Sequence, residues 1–236
     1  MVASSIHFQI CSFFYMVVLL LVYSKKRILT FENKIYIYMI ISNIIGLLLD
    51  VFSVYTIINL DKYYILNYVI TRFNLIYLLF WETLFCVYTF SICIRGKSEL
   101  SDVEKKEKRI FKIFLGIFFV FSALVLILPL DYYNNGSYVY SYGLGVTLTY
   151  VVGIIYIVIC AYKVISNIKN MGKIKCLSLL SYIIIFPIFL LIQLFHPEIL
   201  LVTSIQSFIN FLLYLTIQNF DIEVLDTHKS LKKWIK

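Results

Sequence analysis

Residues 35–94 decide the fold, and they read IYIYMIISNIIGLLLDVFSVYTIINLDKYYILNYVITRFNLIYLLFWETLFCVYTFSICI. Apolar residues run on both sides of Leu60–Asp61–Lys62, which predicts two membrane helices joined by a tight turn. Asp50 precedes Asp61 by eleven residues, and Arg72 follows it by eleven. At about 1.5 Å of rise per residue, both side chains lie roughly 15 Å from the turn, at the same depth.

A charge inside a bilayer is costly unless it is paired, so such residues usually mark a functional interior. We therefore predict an ion pair between Asp50 and Arg72 inside a helical bundle. The alternative is that Asp50 is protonated and Arg72 extends towards the membrane surface, so that each group meets water separately.

Composition indicates the class of protein. The 236 residues are 61% hydrophobic and 14% charged, whereas a soluble domain is about 45–50% apolar and 25% charged. The length suits one bundle and leaves no room for a second domain of ordinary size. The chain is therefore predicted to be an all-α, polytopic protein of the cell membrane, surrounded by the lipid bilayer.

Seven apolar segments are long enough to cross a membrane. They lie at about residues 5–23, 35–58, 64–94, 110–130, 143–162, 176–195 and 199–218. Residues 1–218 would form the bundle, and residues 219–236 a polar, cytoplasmic helical tail. No Lys or Arg precedes the first segment, whereas Lys25, Lys26 and Arg27 follow it. A cleaved signal peptide carries its positive charge in front, so the first segment is predicted to remain as a span.

Basic residues predict the orientation. With the N-terminus outside, 19 of the 21 Lys and Arg fall on the cytoplasmic side, as the positive-inside rule requires. The exceptions are Lys62, at an outer turn, and Arg72, within a span. The net charge of +8 is divided among short basic blocks between apolar runs, which argues against nucleic-acid binding.

Two connecting segments leave alternatives open. Residues 131–142, DYYNNGSYVYSY, contain the turn signal Asn135–Gly136 and no Lys or Arg, as expected of an outside loop. Their tyrosines would form an aromatic belt at the interface or line a ligand entrance. Residues 95–112 mix seven bases with four acids, and would be either a docking surface or a solvated inside loop. A helix that begins there is predicted to continue into the fourth span.

The seventh span has a polar face. Four of its residues recur at i, i+3, i+4 and i+7: Thr203, Gln206, Ser207 and Asn210. In lipid such a face points at other helices, where it would either line a ligand cavity or hold the bundle together. The fifth span has a face of small residues, which lets helices pack closely: Gly145, Thr149 and Gly153.

Glu82, beside Trp81, is the remaining candidate for a ligand or proton site. It would act as a proton-relay acid, or it would bind Asn43 or a water molecule.

Catalytic motifs are missing from the sequence. It contains no phosphate-binding glycine-rich loop and no nucleophile elbow. Its three histidines are scattered and its cysteines show no CxxC spacing, so neither a metal site nor a cofactor is predicted. We expect no enzymatic activity from this chain.

Two stretches resemble a known family. Residues 24–38, SKKRILTFENKIYIY, with ISNIIGLLLD at 41–50, resemble the opening of multi-pass sensor regions in Firmicutes signalling proteins. Residues 215–225, LTIQNFDIEVL, resemble the exit of the last span in those proteins. There the exit leads through a helical linker into a histidine kinase core or a diguanylate cyclase domain.

The tail departs from that pattern. A kinase core needs a phospho-accepting His followed by an acid, but His228 is followed by Lys229 and Ser230, and the sequence ends at Lys236. The resemblance therefore implies a sensor half without catalytic domains, as a truncated gene product, a split gene or a free-standing receptor.

The hypothesis from sequence is a signal-input module of a bacterial signal-transduction system, of the two-component kind. It would relay an unknown small ligand or a membrane signal through the seventh span to a homodimer or to a cytoplasmic kinase or cyclase partner. The alternative is a small transporter or channel in which Asp50, Arg72 and Glu82 line the path.

Overall fold

The computed structural model describes residues 3–25, 30–95, 100–136, 138–197 and 199–218. Seven α-helices lie within these ranges: α1 Ala3–Lys25, α2 Phe31–Ile58, α3 Leu60–Arg95, α4 Leu100–Ile127, α5 Leu144–Ser166, α6 Lys173–Phe195 and α7 Val202–Leu213. Two short strands, β1 Asp131–Asn134 and β2 Val139–Tyr142, join α4 to α5. A 3₁₀ turn at Ile168–Asn170 precedes α6, and a π-helical turn at Tyr214–Gln218 extends α7. The predicted tail, 219–236, lies outside the described residues.

Six of these helices, α1 to α6, are long and apolar enough to cross a membrane. The apolar stretch of α7, Val202–Ile217, is shorter than the predicted seventh span. Large apolar side chains such as Phe14, Ile127 and Phe195 are exposed on the outside of the bundle. A water-facing surface of this kind would be an aggregation liability, whereas lipid-facing helices require it. The structure therefore agrees with an all-helical membrane bundle.

Helix α3 occupies the centre of the bundle. It is the most deeply buried of the six long helices, and it packs against α2, α4 and α5. Its side chains Trp81, Phe85 and Tyr88 are almost fully buried. Because α3 has neighbours on several sides, polar groups on its different faces meet different helices.

The turn between α2 and α3 lies where the sequence places it. Asn59 ends α2, and its side-chain amide donates to the Tyr55 carbonyl at 2.9 Å. The backbone leaves helical geometry at Tyr63 (φ −123°, ψ 35°), so the first turn of α3 is set at an angle to the rest. At the other end of α2, the Thr30 hydroxyl caps the helix by accepting from the Asn33 amide at 3.3 Å.

Residues 131–142 form a β-hairpin, which the sequence signalled only as a turn. Strands β1 and β2 pair antiparallel, from Asp131↔Tyr142 to Asn134↔Val139. Gly136 has φ +80°, a conformation that glycine adopts without steric cost. Val139 packs on Val54 and Ile57 of α2, which fixes the hairpin over one end of the bundle. We call this the hairpin end.

Helix α4 confirms the predicted continuity between the charged segment and the fourth span. It runs unbroken from Leu100 to Ile127. Near the end of the bundle away from the hairpin, the buried Glu107 carboxylate accepts a hydrogen bond from Ser91 of α3. That bond joins α3 to α4, and Lys108 and Glu104 form an exposed ion pair at 3.1 Å on the outer side of α4.

Candidate functional site

A polar cavity lies between the helices beneath the hairpin. It has a volume of about 60 Å³, which is room for a few water molecules or one small polar group. Polar side chains from five helices line it: Asp50, Asn74, Thr149, Tyr150, Gln193 and Thr203. Tyr140 and Ser141 of β2 form its roof. We call this cavity the Asp50 cleft.

Asp50 gives the cleft its charge. Its side chain is only 4% exposed, and Oδ1 accepts a hydrogen bond from Asn74 Nδ2 at 2.8 Å. The Thr203 hydroxyl faces the same carboxylate. Asn74 Oδ1 is buried without a hydrogen-bond partner, and no Lys or Arg of the described residues lines the cleft. The cleft therefore presents hydrogen-bond acceptors and negative charge to whatever enters it.

Gln193 connects the cleft to α7. Its Oε1 accepts from the backbone amides of Leu201 and Val202, both at 2.8 Å. Its Nε2 donates to the Tyr150 hydroxyl at 3.1 Å. The first turn of α7 has no side-chain cap from its own N-cap residue, Leu201, so the amide on α6 satisfies donors that would otherwise be orphaned. A change in the cleft that moves Gln193 would therefore alter the hydrogen bonds that hold the start of α7.

A buried hydrogen-bond network lies just below the cleft. Asn43 Nδ2 donates to the Tyr77 hydroxyl at 3.0 Å and to the Thr203 carbonyl at 3.1 Å. Asn43 Oδ1 accepts from the Ser207 hydroxyl at 2.6 Å, and the Tyr77 hydroxyl donates to Gln206 Oε1 at 2.6 Å. We call these residues the Asn43 network. It binds α2, α3 and α7 together.

The polar face of the seventh span is thus turned inward, towards the other helices. Thr203 lines the cleft, whereas Gln206 and Ser207 hold helices together. Asn210 lies one turn further on, where its carbonyl accepts from Tyr36 at 2.6 Å. Its side-chain amide is buried without a partner.

Gly46 makes the Asn43 network possible. The ring of Tyr77 lies directly against it, and a Cβ added at this glycine would stand 1.9 Å from Tyr77 Cζ. No side chain fits at this distance, so α2 must carry glycine where the tyrosine crosses it.

Arg72 and Asp50 do not form the ion pair predicted from the sequence. Arg72 is 5% exposed, and its Nε and Nη2 donate to the carbonyls of Leu126 and Leu128 at 3.1 and 3.0 Å. Its guanidinium also lies 3.7 Å from the ring centre of Tyr68. These carbonyls are at the end of α4, where a helix has unpaired acceptors and a negative partial charge.

The spacing along the chain does not tell in which direction each of the two charged side chains points. Successive residues of an α-helix are turned by about 100°, so Asn74 points roughly opposite to Arg72. Asn74 consequently reaches α2 and Asp50, while Arg72 reaches α4.

Glu82 lies in a separate, mainly aromatic environment. It is 4% exposed, and Oε2 is buried without a hydrogen-bond partner. Trp81, next to it, is fully buried and packs on Phe85 and Tyr182. Asn43, one of its predicted partners, bonds to Tyr77, Ser207 and Thr203 instead.

The small-residue face of α5 approaches Glu82. A Cβ on Gly153 would lie 2.8 Å from Glu82 Oε1, so this glycine gives the carboxyl its space between α3 and α5. Thr149 of the same face is buried and lines the cleft.

The sequence reasoning missed several residues of the site. Asn74 and Gln193 are lone amides within apolar runs, and a search for every polar side chain in a span, not only the charged ones, would have found them. Tyr77 and Tyr150 had no distinguishing signal among 20 tyrosines.

Comparison with protein-family models and with curated proteins finds no match for this chain.

Arg72→Met should destabilise the protein by about 2–4 kcal/mol, because it removes two charge-assisted hydrogen bonds from the end of α4. Lys62→Met, at the exposed turn, should change stability by less than about 0.5 kcal/mol. Denaturant unfolding in detergent micelles measures both. Exchanging the two charges (Asp50→Arg with Arg72→Asp) should not restore stability, and a full rescue would contradict the separate partners described above.

Gly46→Ala should destabilise the bundle by about 2–3 kcal/mol, because the new methyl group forces Tyr77 out of the Asn43 network. Gly116→Ala in α4 is the matched control, since nothing lies within 4 Å of its added Cβ. The control should be neutral or stabilising by up to about 1 kcal/mol, as alanine favours helix. Equal effects in thermal unfolding would contradict the role given to Tyr77.

Proposed function

We propose that this chain is the membrane-embedded receptor unit of a signalling system, with seven spans, the N-terminus outside and the C-terminus in the cytoplasm. The basic residues support this orientation, because it places 19 of the 21 Lys and Arg on the cytoplasmic side. The hairpin end, and with it the Asp50 cleft, then lies on the outer side of the membrane.

The proposed signal is a small cationic ligand that carries an ammonium group. Asp50 supplies the counter-charge, and Asn74 Oδ1 supplies a buried acceptor that lacks a donor. Desolvated ammonium groups require such paired charges and acceptors. Leu75, Leu78, Val146 and Val202 are among the apolar residues of the lining, and they would favour an amine with a short apolar substituent.

The observation that carries the receptor proposal is the double role of Gln193. One amide both faces the cleft and caps the first residues of α7. A ligand ammonium that donates to the Tyr150 hydroxyl oxygen would compete with Gln193 Nε2 for this acceptor and would so change how α7 is held. The bundle would then favour one of two positions of α7, as a ligand with unequal affinity for two states requires.

The output is proposed to pass along α7 and its extension Tyr214–Gln218 to the cytoplasmic side, where a homodimer or a kinase or cyclase partner would receive it. An order-of-magnitude requirement follows, because reversing a 1:99 equilibrium takes about 5.5 kcal/mol of differential binding. A partial response needs correspondingly less.

Transport is the second candidate, and Glu82 favours it. This carboxyl lies on the same helix as Asn74, deeper in the bundle, with one buried oxygen that has no partner. A path from Asp50 to Glu82 would offer a cation two acidic binding sites in succession. Uptake of a labelled amine into proteoliposomes that is lost in both Asp50→Asn and Glu82→Gln would favour transport over signalling.

Small primary amines, but not the alcohols of the same shape, should raise the thermal stability of the purified protein. At a concentration of about 100 Kd the expected stabilisation is roughly 2.7 kcal/mol. Asp50→Asn should abolish the effect, whereas Asp61→Asn at the exposed turn should preserve it. Equal stabilisation of the wild-type protein by alcohols and amines would rule out a charge-selective cleft.

Gln193→Leu should separate ligand binding from signal transmission. Spin labels on the exposed Cys11 and on Leu215→Cys report the position of the end of α7 relative to α1. An amine should shift this distance in the otherwise unaltered protein but not in Gln193→Leu, in which amine binding persists. Identical shifts in both proteins would show that Gln193 does not transmit the signal.

A further inference from the structure

A second cavity lies at the end of the bundle away from the hairpin. It has a volume of about 330 Å³, within the range of about 300–1,000 Å³ typical of ligand pockets. The end of α3, the first turns of α4 and the end of α5 surround it, and we call it the basic pocket. It is separate from the Asp50 cleft and from Glu82, and its argument does not depend on the proposed receptor function.

Three cationic side chains from two helices line the basic pocket. Lys106 and Arg109 come from α4, and Lys163 comes from the last turn of α5. No acidic residue of the described chain is part of the lining. Two acids of α4 have partners outside the lining: Glu107 accepts from Ser91, and Glu104 pairs with Lys108. The pocket therefore has the charge and the donors to hold an anion.

The geometry around Lys163 is well defined. Its ammonium lies 5.0 Å from the ring centre of Phe90, and its carbonyl accepts from Asn167 Nδ2 at 2.8 Å. Asn167 is itself buried and lines the pocket. Ile94 and Ile110 form an apolar wall beside these polar groups. A ligand that is anionic at one end and apolar at the other would match this lining.

The apolar wall continues along the lipid-facing side of α4. Ile113, Val120 and Leu124 follow Arg109 at helical spacing, and they are 53%, 61% and 41% exposed. The cations thus lie where the charged segment of α4 meets its apolar segment, which is the depth of lipid headgroups. A free anion would make no contact with these three apolar side chains, whereas acyl chains would pack along them.

We propose that the basic pocket binds the phosphate of an anionic phospholipid, with the acyl chains packed along Ile113, Val120 and Leu124. Arg109 forms a bidentate contact to the phosphate, because its planar guanidinium matches phosphate geometry. Lys106 and Lys163 supply point charges from either side. Bound lipid would bridge α4 and α5, two helices whose ends meet at this pocket.

The test compares two double variants that remove the same charge. Arg109→Gln/Lys163→Gln removes cations of the pocket, and Lys108→Gln/Lys112→Gln removes two cations of α4 that do not line it. Each protein is purified in detergent, mixed with phosphatidylglycerol and examined by native mass spectrometry. The pocket variant should retain about 30-fold less lipid, since two cations at roughly 1 kcal/mol each contribute about 2 kcal/mol, and the control should stay within about twofold. Equal losses, or none, would overturn the proposal.

A second measurement uses the unaltered chain, so it does not depend on how the variants fold. Phosphatidylglycerol with a photoreactive acyl chain should cross-link to the lipid-facing side of α4, at or near Ile113, Val120 and Leu124. Cross-links spread evenly over the helices would overturn the proposal. Excess inorganic phosphate should leave the lipid bound, and displacement by phosphate alone would show that the pocket takes a free anion instead.

Discussion

The rest of the structure depends on one constraint, which is that the Asn43 amide must find all its partners inside the bundle. Lipid offers no hydrogen bonds, so a polar group at this depth is satisfied by another helix or not at all. Asn43 takes its partners from Tyr77 on α3 and from Thr203 and Ser207 on α7. These contacts fix α7 against α2 and α3, and because Thr203 also lines the Asp50 cleft, the same contacts set the width of the cleft.

The two buried charged residues Asp50 and Arg72 have separate partners. Arg72 uses its donors on the last carbonyls of α4 and thereby holds the chain just before the hairpin. Asp50 is left with amide and hydroxyl partners only. Had the two neutralised each other, the cleft would lack its charge and the end of α4 its donors. Because the two are separate, Arg72 holds the end of α4 and Asp50 remains in the cleft without a cationic partner among the described residues.

Much of the fold follows from hydropathy, because an apolar run of about 20 residues has few alternatives to a membrane helix. The turn after Ile58, the unbroken course of α4 and the inward polar face of α7 were all predictable in this way. The direction in which a side chain points around the helix axis was not predictable from hydropathy. For this reason Arg72 was predicted to pair with Asp50 rather than with the end of α4. The strands β1 and β2 were missed because seven of their eight residues are polar or aromatic, and such residues around a turn fit a loop equally well. Gln193 and Tyr77 act through contacts with distant parts of the chain, and no local pattern carries that information.

The hairpin is fastened on both sides. Arg72 holds the carbonyl of Leu128 before β1, Val139 of β2 is buried against α2, and Tyr133 stacks on Tyr138 and Tyr140. These contacts hold the hairpin in place over the cleft. Pro197 and Leu200 also line the cleft and do not belong to the hairpin. A ligand that enters from the hairpin end would therefore have to displace lining side chains of this kind rather than the hairpin itself.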